Sequence, residues 1–318
     1  MRLAAYNVRW FERLFDEGGR LLDDERVAAL ATVLRALDAD AVLVVEAPDE
    51  RPPGRGRRAL ERFAAHAGLR ARRALLGFPS DTEQEVALLY DPGAVAARHD
   101  PVGSPRFDGT FDAPGAGPIR WSKPPLEVDL RAGALRLRLV GVHAKSKAPH
   151  GARDDAHAQR IAVENRRKQI AQCVWLRARV DEHMGRGESV VVLGDLNDGP
   201  GLDEVEALFG RSGVEIVLGE GATALYDPHA RPRRLTEARP ATARFPQADG
   251  RVLSALVDFV MVSPDLRARR PRWRIWHPFD DPACAADPLL RDALLLASDH
   301  FPVSLDLATG GGVPTSAP

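Results

Sequence analysis

The sequence has 318 residues, which is long for one average domain but within the range of large single-domain α/β enzymes. Its 44 basic and 45 acidic side chains leave a formal net charge of −1, which excludes a global basic field that would attract nucleic acid. The 2 cysteines, Cys173 and Cys284, form no C-x-x-C pair, so neither a zinc knuckle nor a disulfide framework is expected.

The first predicted element is a strand at residues 2–8, which lacks the long apolar core of a signal peptide. No apolar run is long enough to span a membrane, so we expect a cytoplasmic protein without membrane partners. Apolar periodicity predicts the other elements, which in chain order are helix 24–37, strand 41–46, helix 57–67, strands 85–90, 126–130 and 134–143, helix 154–183, and strands 189–194, 256–262 and 301–307.

These elements predict one domain over residues 1–307, with loops at the Pro/Gly-rich stretches 49–56 and 101–118. The tail at 308–318 has almost nothing to bury, and we expect it to be disordered. Many short strands with few interleaved helices favour an α/β (α+β) fold, a four-layer α/β/β/α sandwich of two mixed β-sheets flanked by helices. A doubly wound parallel sheet is the alternative, but residues 85–143 contain several strands with no helix between them.

Five predicted strands share one feature, a polar residue in phase with the apolar residues of one face. These residues are Asn7, Glu46, His143, Asp195 and Asp258. Burying an unpaired carboxylate is costly, so the repetition predicts a bound cation or a hydrogen-bonded catalytic network. Asn, Glu and Asp offer oxygen donors, which suit Mg²⁺ or Mn²⁺ better than Zn²⁺.

Two motifs at the ends of apolar segments resemble those of a known superfamily. Gly194-Asp195-Leu196-Asn197 resembles the G-D-x-N motif of the endonuclease/exonuclease/phosphatase superfamily, which has the DNase-I-like fold. Ser298-Asp299-His300-Phe301-Pro302-Val303 resembles its C-terminal S-D-H-x-P-V motif. With Asn7, Glu46, Val142-His143 and Val257-Asp258 in matching order, the resemblance runs from about Arg2 to Leu307. The stretch from His143 to Lys147 is similar to the H-x-K-S-K stretch of bacterial nuclease-like members.

The resemblance implies a metal-dependent phosphoesterase with three groups of site residues. The implied metal ligands are Glu46 as the principal one, Asn7 close to the metal and the phosphate, and Asp299 at a second site. The implied catalytic residues are Asp195 for activating water, Asn197 for holding water or phosphate, His300 for binding the scissile phosphate, Asp258 for fixing the tautomer of His300, and His143 as a further phosphate contact. The implied phosphate-binding residues are Arg120, Lys145 and Lys147. Arg9 stands where many nucleases of the family have an acid, which leaves the number of metal ions open.

The leading functional hypothesis is a Mg²⁺-dependent phosphodiesterase, a nuclease without sequence specificity, although the near-neutral charge argues against tight, salt-sensitive binding of DNA. The second is a phosphatase or phosphodiesterase of a small soluble or lipid-derived phosphoester, such as an inositol phosphatase or a sphingomyelinase. The sequence has no basic amphipathic helix that would place it on a membrane. The third is a non-catalytic binding module, which the complete set of site residues disfavours.

We expect loops 100–118 and 222–250 to select the substrate. Cleavage mode and oligomeric state stay open.

Overall fold

The computed structural model describes residues 1–17, 19–101, 110–113, 117–149, 151–201, 210–231, 240–246 and 250–310. The strands are β1 (Arg2–Asn7), β2 (Ala41–Ala47), β3 (Arg73–Leu76), β4 (Glu85–Tyr90), β5 (Ala96–His99), β6 (Thr110–Ala113), β7 (Gly117–Arg120), β8 (Leu126–Ala132), β9 (Leu135–His143), β10 (Val190–Asp195), β11 (Ala243–Pro246), β12 (Val252–Ala255), β13 (Asp258–Val262), β14 (Arg272–Ile275) and β15 (Val303–Asp306). The helices are α1 (Glu25–Leu37), α2 (Arg55–His66), α3 (Asp155–Gly185), α4 (Gly213–Leu218), α5 (Pro264–Ala268), α6 (Pro282–Ala286) and α7 (Pro288–Ala297).

Two mixed sheets form the centre of the fold. The six-stranded sheet has the order β14-β15-β1-β2-β4-β3, and only its β1–β2 pair is parallel. The five-stranded sheet has the order β13-β10-β9-β8-β5, and only its β9–β10 pair is parallel. Two hairpins, β6–β7 and β11–β12, stand apart from both sheets. A doubly wound parallel sheet is therefore wrong for this chain.

Three apolar clusters separate four layers. The central cluster lies between the sheets and includes Leu3, Leu43, Leu137 and Val191. A second cluster joins the outer face of the six-stranded sheet to α1, α2 and α7, and a third joins the outer face of the five-stranded sheet to α3 and α4. The predicted α/β/β/α sandwich is confirmed. None of the helices that the structure describes is both long and apolar enough to cross a bilayer.

The two longest predicted helices begin as the sequence indicates. Asp24 caps α1 by accepting a hydrogen bond from the backbone N–H of Val27, and Asp154 caps α3 by accepting one from His157. The third predicted helix, α2, begins at Arg55 because Gly54, with φ 82°, turns the chain there. The predicted loop at 49–56 is therefore shorter than expected.

The structure corrects other predicted boundaries. Hairpin β6–β7 occupies part of the predicted loop 101–118, whose residues 102–109 and 114–116 lie outside the described residues. Residues 232–239 and 247–249 of loop 222–250, and most of the predicted tail, 311–318, lie outside them too. Helix α7 and the edge strands β3, β5 and β14 were not predicted; α7 packs its Leu290 and Leu294 into the cluster that contains α1.

Candidate active site

Sheet register places three polar side chains next to one another where β9 and β10 end and β13 begins, on one side of the five-stranded sheet. His143 lies opposite Asp195 in the parallel pair β9–β10, and Asp195 lies opposite Asp258 in the antiparallel pair β10–β13. All three are buried and continue the strand faces that point at the other sheet. Asn7 reaches them from the end of β1, with its Nδ2 3.0 Å from Asp195 Oδ2.

Gly194 brings the ends of β9 and β10 close together. Its φ is 128°, and a Cβ on it would lie 2.1 Å from the carbonyl oxygen of Val142. A side chain at this position would push apart the strand ends that carry His143 and Asp195. The glycine of the G-D-x-N motif is thus required by the backbone.

Asp195 is held by amide donors and is poised to exchange a proton. Its Oδ2 accepts from Asn7, and its Oδ1 accepts from the backbone N–H of Asn197 at 2.7 Å. Burial and the neighbouring Asp258 carboxylate raise the pKa of Asp195 to about 7, although His300 and these hydrogen bonds act in the opposite direction. A carboxyl group with a pKa near neutrality is suited to accept a proton from water.

His300 and Asp258 form a buried pair. His300 Nδ1 lies 2.9 Å from Asp258 Oδ2. Burial alone lowers the pKa of His300, but the charge and the hydrogen bond of Asp258 outweigh it and raise the pKa to about 10. The imidazole is therefore protonated at neutral pH and carries a donor at Nε2. The Ser298 hydroxyl accepts from the backbone N–H of His300 and donates to the carbonyl of Asn7, which joins this segment to β1.

Sequence reasoning missed Lys123, which lies between β7 and β8. Its Nζ is 3.3 Å from His143 Nε2, and its charge interacts with Glu46 and Asp195. Burial, Lys123 and His300 lower the pKa of His143 well below its ordinary value, so this imidazole is neutral. A lone lysine in the apolar segment Trp121-Ser122-Lys123-Pro124-Pro125 was the available signal.

Glu46 reaches the site by a route that strand alternation does not predict. Val42 and Val44, expected on the same inward face, point at the helical layer. The register shifts between Val45 and Ala47, and Glu46 itself has φ 61°, so a bulge reorients the side chain. Glu46 Oε2 accepts hydrogen bonds from the backbone N–H of Trp10 and the Nε2 of Gln84, at 2.9 and 2.8 Å.

The structure also corrects the prediction that Leu256 and Asp258 lie on the same face of one strand. Leu256 precedes β13 and packs against the cluster on the α3 side, whereas Asp258 is in phase with Val260 and Val262 in the central cluster.

Left-handed backbone conformations concentrate around the site. Arg9, Trp10, Glu46 and Asn197 have φ values of 43°, 58°, 61° and 50°. Such values are uncommon outside glycine, and they gather at functional sites where surrounding contacts hold them. Arg9, which stands in place of an acid, has its Nη1 3.3 Å from Asp299 Oδ2.

The donor set suits a hard divalent cation. Glu46, Asn7 and Asp299 supply oxygens, and Glu46 Oε1 accepts no hydrogen bond from any residue that the structure describes. Ligand atoms of Asp195, Asp258 and His300 also lie within 4.8 Å of one another, a spacing that could hold a metal ion. Because His300 Nδ1 and Asp258 Oδ2 already hydrogen-bond each other at 2.9 Å, the Glu46 set fits a cation better.

The residues predicted to bind phosphate lie in different surroundings. Arg120 Nη2 is 3.6 Å from Asp81 Oδ1, and both side chains are exposed. Lys147 Nζ is 3.0 Å from Asp198, a buried carboxylate that also pairs with Arg166. Lys145 is partly buried, which lowers its pKa, and its charge acts on Lys123 and His143. Phosphate binding by these three residues stays a prediction. Of the three, Lys145 is the one whose charge acts on the site residues Lys123 and His143.

Comparison with known proteins agrees with this geometry. The profile of the Endonuclease/Exonuclease/phosphatase family matches residues 4–300, while no curated protein matches the sequence. Truncated TDP2 from Caenorhabditis elegans is similar in structure, with 14% identity, a TM-score of 0.55, and coverage of 96% of this chain and 97% of that chain. TDP2 from D. rerio, complexed with single strand DNA product, has 13% identity and a TM-score of 0.52 over 97% and 99% of the two chains. Mannosyl-6-phosphatase from Bacteroides thetaiotaomicron has 12% identity and a TM-score of 0.50 over 97% and 99%. At such identities the structural likeness shows the fold, and the family profile shows membership. The chain therefore belongs to the Endonuclease/Exonuclease/phosphatase family and is a phosphoester hydrolase.

Proposed function

We propose that the protein is a Mg²⁺-dependent phosphodiesterase that cleaves nucleic acid without sequence specificity. The observation that carries this proposal is the convergence of a proton acceptor, Asp195, and a protonated donor, His300, whose polar atoms lie within 4.8 Å of each other, near a lysine, Lys123, that interacts with the charges of both Asp195 and Glu46. A phosphodiester is an anion that resists nucleophilic attack, so hydrolysis needs an activated water and neutralisation of the phosphoryl oxygens. The chain supplies groups for both tasks.

Each polar residue of the site has a proposed role. Asp195 takes the proton of the attacking water. Hydrogen bonds from Asn7 and Asn197 fix the orientation of the Asp195 carboxylate. His300 donates from Nε2 to a phosphoryl oxygen, and Asp258 holds its ring and its charge. His143 and Lys123 offer further donors to the same anion. These two roles are supported by the 3.7 Å distance from His143 Nε2 to Asp195 Oδ2 and by the charge interaction of Lys123 with Asp195.

Glu46, Asn7 and Asp299 would hold the metal ion. When bound, Mg²⁺ supplies positive charge to the phosphoryl oxygens and makes its water more acidic. Mn²⁺ has similar ligand preferences and is expected to substitute for it.

The proposal of nucleic acid as substrate is supported by the fold that the chain shares with a TDP2 complexed with single strand DNA product. A phosphatase of a small phosphoester is the second candidate, because the same fold occurs in a mannosyl-6-phosphatase. The two differ in whether the phosphorus carries one ester bond or two.

A substrate panel tests the proposal. Supercoiled plasmid, a small diester such as bis(p-nitrophenyl) phosphate and the corresponding monoester are incubated with Mg²⁺, Mn²⁺ or EDTA. We expect cleavage of both diesters, loss of cleavage in EDTA, and near-complete loss in Asp195→Asn. The matched control is Asp129→Asn, which changes another buried aspartate that pairs with Arg131 and Arg136 instead. Hydrolysis of the monoester alone, or hydrolysis that persists in EDTA, would show that the proposal is wrong.

A further inference from the structure

A cavity of about 470 Å³ opens next to the S-D-H-x-P-V motif, with Ser298 and Asp299 in its wall. Its lining includes four arginines, Arg9, Arg13, Arg26 and Arg244, and one carboxylate, Asp299. Its volume lies within the range of about 300–1,000 Å³ that is usual for ligand pockets. The cavity thus places four arginines beside Asp299, one of the proposed metal ligands.

These arginines have few carboxylate partners. Within the part of the chain that the structure describes, the only ion pair any of the four makes is Arg9 with Asp299. Arg26 donates to the backbone carbonyls of Ala297, Val8 and Arg9, so its guanidinium is oriented without a carboxylate partner and keeps only Nη1 for a ligand. The wall would therefore attract an anion.

Two of the arginines lie over aromatic rings. The guanidinium carbon of Arg13 is 4.7 Å from the ring centroid of Trp10, and that of Arg244 is 5.0 Å from the ring centroid of Phe279. In such a stack the aromatic ring holds the planar guanidinium group in place, and a second planar group can stack on it.

The cavity also has an apolar wall that no described residue covers. Leu295 and Leu296 on α7 are 43% and 47% exposed, and Val252 on β12 is 46% exposed. Helix α7 buries Leu290 and Leu294 on its other face, so the exposed pair is not needed for its packing. Exposed apolar side chains gathered beside a cationic pocket mark a binding site.

We propose that this cavity binds an unpaired nucleotide of single-stranded nucleic acid, adjacent to the scissile phosphate. The proposal rests on the proposed function for the position of that phosphate. A duplex keeps its bases stacked inside and presents phosphates to a protein, whereas an unpaired strand offers both a phosphate for the arginines and a base face for Trp10 and Leu296. A phospholipid headgroup such as phosphatidylglycerol offers a phosphate but no flat aromatic face for Trp10 and the stacked arginines.

Binding measured without turnover tests this inference. Fluorescence anisotropy of a labelled oligothymidylate is recorded in EDTA with the wild type and with the double variant Arg13→Ala/Arg244→Ala. We expect the double variant to lose at least about tenfold in affinity, because two charged stacking surfaces are removed. The matched control, Arg73→Ala/Arg131→Ala, removes the same charge from exposed arginines outside the cavity and should lose less than about twofold.

Three further ligands decide which chemistry the cavity recognises. The duplex of the same length and an abasic strand should both bind more weakly than the oligothymidylate. Vesicles that contain phosphatidylglycerol should not compete. Equal binding of the duplex, equal binding of the abasic strand, vesicle competition, or an equal loss in the control pair would each overturn the inference.

The two proposals fail in different ways. Tight binding of the single strand with no hydrolysis in Mg²⁺ would contradict the proposed function and support the cavity assignment. Hydrolysis of the small diester with no preference between single and double strands, in binding or in kcat/KM, would support the proposed function and overturn the cavity assignment.

Discussion

Single residues of the site differ in what compensates for their burial. Asp258 has His300 at 2.9 Å, Asp195 has two amide donors, and His143 has Lys123 as a neighbour. A buried carboxylate without such a partner would be strongly destabilising. Each of these contacts therefore belongs both to the stability of the fold and to the proposed chemistry.

The Asp258–His300 pair is expected to act as a unit. Asp258→Ala and His300→Ala should each lower kcat by a factor of about 10²–10⁴, the range for a positioned acid–base group. The double variant should lose little more than His300→Ala, because holding and charging His300 is the main role of Asp258, beside the smaller effect of its charge on the pKa of Asp195. A double-mutant cycle on kcat, with Tm measured in parallel, checks this prediction. Multiplicative losses would show that the two residues act independently.

Lys123 is expected to tune His143 as well as bind phosphate. Its charge lowers the pKa of His143, second only to burial. In Lys123→Met the pKa of His143 should rise toward its ordinary value, and kcat/KM should fall by about 10–100-fold, the loss expected for one charge-assisted hydrogen bond. NMR titration of the imidazole gives the first quantity. Lys168→Met, an exposed lysine that pairs with Glu164, is the control, and an unchanged His143 pKa in Lys123→Met would refute the coupling.

At the scale of elements, irregularities in the strands position the site. The bulge at the end of β2 turns Glu46 away from the helical layer, and Gly194 lets β10 approach β9. Regular strands would point Glu46 at α1 and separate Asp195 from His143. Both departures lie at strand ends, where they cost few ladder hydrogen bonds.

Glu46→Ala should abolish Mg²⁺ binding and nearly all activity while the fold stays intact. Alanine can adopt the left-handed conformation about as well as glutamate, so the substitution adds no backbone strain. Glu83→Ala is a matched control, since Glu83 is also left-handed, with φ 57°, and is exposed. Calorimetric titration with Mg²⁺ and a thermal melt measure the two effects. Mg²⁺ binding that survives in Glu46→Ala would contradict the assignment.

The start of β4 carries a pH-dependent contribution to stability. Burial, and more weakly Asp49, raise the pKa of Glu85 from 4.5 to about 7, although the backbone N–H groups of Glu50 and Ser80 oppose the shift. The folded chain therefore holds this proton more tightly than the unfolded chain. The contribution is full below about pH 4.5 and is lost as pH rises through about 7.

Glu85→Gln should flatten this dependence. Between these two pH values the free energy of unfolding of the wild type should fall relative to the variant by about 1.4 kcal/mol per unit of pKa difference. Urea unfolding at several pH values measures it. Glu164→Gln, which changes an exposed glutamate on α3, should keep the wild-type slope. Parallel curves for wild type and Glu85→Gln would contradict the prediction.

At the scale of the whole molecule, charge is balanced overall and concentrated locally. The net charge of −1 gives no long-range attraction to nucleic acid, while the cavity beside Asp299 holds four arginines. Salt should therefore act on binding through the few phosphates that reach these arginines and through the scissile phosphate beside His300.

The expected salt slope is shallow. With about 0.7 counterions released per phosphate of a single strand, four phosphates at the arginines and the scissile phosphate limit the slope of log K against log [salt] to about −3.5. Arg13→Ala/Arg244→Ala should make the slope shallower by about 1.4. Anisotropy titrations at several salt concentrations measure both. A slope much steeper than about −3.5 in the wild type, or one unchanged in the variant, would show that phosphates contact other residues.

The sequence by itself determined the layered fold and its main strands and helices, and it indicated most of the residues proposed for the site. Periodicity is local, so the strands that end in Asn7, His143 and Asp195 could be predicted from their own alternation. The G-D-x-N and S-D-H-x-P-V motifs are local too, and the family profile that spans residues 4–300 confirms what they indicated.

Only the tertiary structure decided how these residues meet. Register between β9, β10 and β13 sets His143, Asp195 and Asp258 side by side, and no local pattern encodes pairing between strands far apart in the chain. The bulge at Glu46, the approach of Lys123 to His143, and the arginine-lined cavity beside Asp299 likewise depend on contacts between distant segments. Those contacts decide where each side chain points. They also decide its charge state, because burial and neighbouring charges shift its pKa from the ordinary value of the residue type.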